Sequence, residues 1–112
     1  MTDAAPLIDE ITELLAAPRN GSGAPPLELL EDTLTTGYVR ALELDAERSR
    51  IERRIGEVAA EIQVDQPDAG ATEIAGLAAR LSDADADLTR LRGLLASLRR
   101  RASDRRRRLK SV

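Results

Sequence analysis

Seven arginines and one lysine crowd the end of the chain: Arg99, Arg100, Arg101, Arg105, Arg106, Arg107, Arg108 and Lys110. A guanidinium fork pairs well with phosphate, so this end is the candidate nucleic-acid surface. Aromatic stacking platforms and recognition-helix patterns are missing, so such binding would be backbone-driven and salt-sensitive. The competing reading is internal. Glu28, Glu31, Asp32 and an acidic first segment are the nearby charges that could neutralise these arginines.

The carboxylates offer less. Glu61, Asp65, Asp68 and Glu73 gather where the chain turns, and acidic tips can carry carboxylates or Mg²⁺ into another protein's active site. Ordinary turn chemistry explains them more simply. Asp83 and Asp87 share a helix face with Asp85 between them, but two carboxylates make a poor metal site. Ser49, Ser82, Ser97 and Ser103 have no histidine to activate them, because the chain has none. It has no cysteine either, which removes disulfides and thiolate metal sites. The sequence therefore predicts a non-enzyme without cofactor or metal.

The elements that position these residues follow from two heptad runs. Steps of three and four from Leu27 give Leu27, Leu30, Leu34, Gly37, Ala41, Leu44, Arg48, Ile51, Ile55, Val58 and Ile62. The same steps from Ile74 give Ile74, Leu77, Leu81, Ala84, Leu88, Leu91, Leu95, Leu98, Ala102, Arg105 and Leu109. Only Gly37, Arg48 and Arg105 depart from apolar character. A seam repeating every 3.5 residues makes helices supercoil around a partner. The break between the runs is too short for a domain, so each helix has the other as its nearest partner. The expected fold is all-α: a long antiparallel coiled-coil helical hairpin. Tyr38 is the only aromatic residue, which suits a thin seam better than a globular core.

Residues 1–26 precede the hairpin. Residues 1–5 are expected to fray. Pro6 suits a first helical turn. Leu7, Ile8, Ile11, Leu14 and Leu15 mark an apolar face, and Pro18 ends a short amphipathic helix. Residues 18–26 form a Gly/Pro linker. Residues 27–112 are the hairpin: one helix to about Gln63, a turn near 64–71 containing Pro67 and Gly70, and a helix to about Arg108 capped by Thr72 or a neighbour. Each long helix spans roughly 55 Å at the usual rise per residue.

Facing seam residues in an antiparallel pair have numbers of constant sum. A sum of 139 pairs Ile62 with Leu77, Ile51 with Leu88, Arg48 with Leu91 and Gly37 with Ala102. It also sets Glu31 by Arg106, Asp45 by Arg92, Arg54 by Asp87, Glu61 by Arg80 and Tyr38 by Arg99, with Glu52 opposite Asp85 as a mismatch. A seam arginine is costly unless it snorkels or pairs, so the head of Arg48 should swing out to Asp45 or Glu52. Arg105 should be solvated.

Charge is segregated. Residues 1–36 carry net −6, residues 37–89 net −6 and residues 90–112 net +9, for a total of −3. No stretch approaches the ~20 apolar residues of a membrane span. The N-terminus lacks a signal-peptide pattern, so a cytoplasmic protein is expected. The Ala-, Arg- and Leu-rich usage suggests a bacterial source. Surplus apolar residues off the seam, Leu42, Leu94 and Ala59, suggest a second face. Two hairpins could pair there into a four-helix homodimer, or a partner helix could dock. The leading reading is a small bacterial regulator or adaptor that binds a protein partner through Tyr38, Leu42, Arg48 and Leu94. The alternatives are a nucleic-acid binder using the basic end and a purely structural oligomerisation element.

Overall fold

The computed structural model describes residues 3–62 and 66–111. Among them all regular structure is helical: α1 (Ala5–Ala16), α2 (Leu27–Glu61) and α3 (Pro67–Lys110). Partner numbers fall along α3 as they rise along α2. Glu31 meets Arg106, Asp45 meets Arg92, Arg48 meets Asp85 and Arg54 meets Glu73. The two long helices therefore lie antiparallel. The molecule measures 73 × 19 × 16 Å with a radius of gyration of 19.8 Å. A compact domain of this length would have a radius of about 13 Å, so the shape is a rod.

The buried residues of α2 and α3 follow the heptad count. Leu30, Leu34, Gly37, Ala41, Leu44, Ile51 and Val58 are buried on α2, and Thr33 is the one buried residue of that helix off the count. Leu77, Ala84, Leu88, Leu91, Leu95, Leu98 and Ala102 are buried on α3.

The register differs from the expected one. A Cβ placed on Gly37 would meet Leu95, not Ala102, and one on Gly70 would meet Ile62. Both pairs sum to 132, one heptad below 139. The core clusters agree: Ile51, Val58 and Leu77 pack together with Ile55, Ile74 and Leu81, whereas Leu88 belongs with Leu44. The cause is Pro67. It sits at the first position of α3, where its missing N–H costs nothing and its fixed φ suits the helix. The break is therefore shorter than residues 64–71, its midpoint moves toward the N-terminus, and the register moves with it. Val64 and Asp65, expected in the turn, fall outside the described residues. Gly70 is not a turn residue either. It lies in the first helical turn, where lacking a Cβ lets Ile62 approach. Thr72 does not cap α3; its hydroxyl donates to the Asp68 carbonyl inside the helix at 2.9 Å.

α1 lies against α3, with fewer contacts to α2. Leu7, Ile8 and Ile11 are buried and join one core with Leu30, Leu91, Leu95 and Leu98. Burying such a side chain is worth about 1.5–3 kcal/mol. That is why a 12-residue helix, marginal alone, persists here. The start is not frayed as expected at residues 3–5. Ala4 is fully buried, and the Asp3 carboxylate accepts the Ala5 N–H at 3.0 Å. The exit is set by Pro18, which forces Ala17 into extended backbone at ψ 157°.

Candidate interaction surfaces

The arginines of α3 divide by face. Arg101, Arg105 and Arg108 fall at i, i+4 and i+7, on one stripe. Arg101 donates to the carbonyls of Leu15 (2.9 Å), Ala17 (3.3 Å) and Leu14 (3.5 Å) at the end of α1. The Leu14 carbonyl also accepts the Ala17 N–H at 3.3 Å, and all three carbonyls lie at the negative end of the helix dipole. α1 has no basic residue in its own last turn, so α3 supplies the cation. Arg105 donates to the Pro25 carbonyl at 3.2 Å, and Arg108 to the Arg19 carbonyl at 3.2 Å. Arg105 is thus partly buried and bonded, where solvation was expected.

The rest of the basic end is different. Arg106 pairs with Glu31 at 3.4 Å, as the sequence predicts. Arg107 pairs with Asp104 on its own helix. Arg100 donates to Ser97 at 3.1 Å. Among the described residues Arg99 and Lys110 have no ion pair. Glu28, Asp32, Asp9, Glu10 and Glu13 also pair with no arginine among those residues. The expected internal neutralisation therefore takes place through Glu31 alone. Carbonyls rather than carboxylates hold the other stripe, and they satisfy donors without cancelling charge. No sequence signal distinguishes a carbonyl partner, because every residue has one.

Arg48 reaches out of the seam, as expected. It bonds Asp45 at 2.7 Å and also Asp85 across the pair at 3.3 Å. The hydrogen bond to Asp85 and the negative charges of Asp45, Asp85 and Glu52 hold its pKa above the ordinary arginine value, against a smaller opposing effect of burial. Its Nε is buried without a partner. In the observed register Ala84, not Leu91, stands opposite it. That small residue admits the arginine stem, and the layer divides the apolar core in two. Asp85 therefore answers Arg48 instead of clashing with Glu52. Arg54 pairs with Glu73 at 3.0 Å and Glu57 at 3.3 Å, not with Asp87. Its pKa is raised by those hydrogen bonds, Glu73 first. Glu61 and Arg80 form no ion pair among the described residues. No cluster of three or more metal-ligating side chains occurs among the described residues.

The off-seam apolar residues separate. Leu94 lies one heptad before Arg101, on the stripe that α1 covers, and is half-buried against the core. It does not share a surface with Tyr38 and Leu42. Those two line an open cleft of about 430 Å³, floored by Ala41, Leu95 and Ala96 and edged by Arg92 and Arg99. Leu42 is 71% exposed, Val39 52% and Tyr38 43%. Tyr38 and Arg99 are neighbours in this cleft, as the sequence predicts. Gly37 is not an open layer beside it, because Leu95 fills that space. Ala59 is exposed. No helix of the described residues is long and apolar enough to cross a membrane.

No protein-family model, curated protein or solved structure matches the chain.

Proposed function

We propose that the chain is a non-enzymatic interaction module: an antiparallel coiled-coil hairpin, buttressed at one end by α1, that binds a protein partner along one face. The supporting observation is the unequal treatment of two sides of the same helix pair. One side is covered by α1, whereas the other leaves Tyr38 and Leu42 exposed together over a cleft. Exposed apolar side chains scattered singly mean little, but a contiguous set over a cleft marks a contact surface. Tyrosine at such a place is a typical anchor. Arg48 and Leu94 leave the proposed contact set, since the first is engaged with two aspartates and the second faces α1. The remaining set is Tyr38 and Leu42, with Arg92 and Arg99 at the rim.

A small regulator or adaptor is the role that suits this arrangement. Chemical cross-linking in cells through a photoreactive group at position 42, followed by mass spectrometry, tests it. A discrete protein adduct absent from a control with the group at exposed Ala59 is expected. Labelling that is the same at both positions would contradict the reading.

The nucleic-acid reading keeps one specific support. Arg99, Arg100 and Arg107 edge a second cleft with Ser103 and Asp104, and the net charge of the end is not cancelled. Binding there would weaken steeply with salt and would not depend on Leu42.

A further inference from the structure

We infer that the Tyr38–Leu42 cleft takes an acidic amphipathic helix of a different protein; the inference rests on the interaction reading above and names its partner class. Two observations carry it. First, the molecule already binds one such helix. α1 presents Leu7, Ile8 and Ile11 to the α2–α3 pair and keeps Asp9, Glu10 and Glu13 outward. The opposite groove of an antiparallel helix pair offers the same kind of seat, with an apolar floor of Ala41 and Leu95 between two helical ridges. An amphipathic helix fills such a seat with side chains at i, i+3, i+4 and i+7.

Second, the rim has a sign. Arg99 has no ion pair among the described residues, and Arg92 reaches Asp45 only at 4.0 Å. Both edge the cleft; Arg106, one heptad beyond Arg99, is already paired with Glu31, so Arg99 is the rim charge left for a partner. Acidic residues flanking the apolar stripe of an incoming helix would answer it, which gives specificity and speed of encounter. The same rim disfavours a second copy. A two-fold contact duplicates every residue, so Arg92 and Arg99 from each protomer would meet around one small interface.

The test uses the full chain and three synthetic peptides. One carries leucine at helical spacing with glutamate on its other positions. The second has lysine for every glutamate, and the third has the glutamates but no leucine. Tyr38 is the only aromatic residue, so its fluorescence reports from the cleft itself. The acidic amphipathic peptide should give a saturable change in Tyr38 emission. Leu42→Ser and Arg99→Glu should each weaken it about tenfold or more, a loss of the size expected for one interface anchor. The double variant Arg92→Glu/Arg99→Glu should come to prefer the lysine peptide. All these side chains are exposed or at the rim, and unchanged circular dichroism checks each fold.

Equal binding of the acidic and lysine peptides would overturn the acidic preference but leave the interaction reading standing. Equal binding of the leucine-free peptide, untouched by Leu42→Ser, would place the contact at the basic end and overturn the inference. A chain that already self-associates through Leu42 would make the second copy the occupant and overturn it too. No response of Tyr38 to any peptide would overturn both the inference and the proposed face.

Discussion

Arg101 and Arg48 show how one residue type is put to two uses by its surroundings. Arg101 spreads its fork over three carbonyls of the α1 end. Its removal leaves those groups to water and frees the end of α1. Arg101→Ala should cost about 1.5–3 kcal/mol in urea unfolding, the usual range for hydrogen bonds involving a charged group. Amide exchange should quicken across α1 before it changes in α2. Arg101→Lys should recover only part of this, since an ammonium cannot span the same carbonyls. Arg48 is the opposite case. It interrupts an apolar seam, and its Nε is buried without a partner. Arg48→Leu should raise the melting temperature by joining the two apolar clusters, at some loss of register specificity. A lower melting temperature would mean the Asp45 and Asp85 contacts outweigh that break.

At the scale of elements, the glycines of the long helices report where α2 and α3 touch. Gly56 and Gly93 have open space where a Cβ would stand, whereas a Cβ on Gly37 would run into Leu95 Cδ2. Gly56→Ala and Gly93→Ala should each stabilise by about 0.5–1 kcal/mol through helix propensity. Gly37→Ala should instead destabilise, because Leu95 is buried and overpacking a core costs about 1–3 kcal/mol. Thermal melts of the three variants separate the cases. The heptad count made most of the seam legible, since burial of one stripe is what a 3.5 repeat demands, but Ile62 and Leu109 at the helix ends are exposed and Thr33, off the count, is buried. The register was not legible in the same way. Shifting α3 by one heptad again sets apolar against apolar, so sums of 139 and 132 look alike from the seam. Even the flanking pairs Glu31–Arg106 and Asp45–Arg92 survive the shift, because arginine is long. The deciding residue was Pro67, which opens a helix as readily as it breaks one. The cleft was legible in part: Tyr38 and Leu42 belong to it, while Leu94 was lost to it because the seat of α1 depends on tertiary packing.

The whole molecule is a rod with a sign at each end and one open apolar face. α2 and α3 bury each other's seams, and α1 closes the third side near the basic end. Leaving out residues 1–17 should expose Leu91, Leu94 and Leu98 and lead to self-association, seen as a rise in mass with concentration. With α1 in place, the remaining apolar face is rimmed by Arg92 and Arg99, and the occupant proposed for it is a different protein. Light scattering coupled to size exclusion, at low and high salt, tests that claim most directly. The account predicts a single species at the chain mass of 12.1 kDa in both buffers, unchanged by Leu42→Glu. A salt-resistant dimer that Leu42→Glu converts to monomer would contradict it, because the open face would then already belong to a second copy.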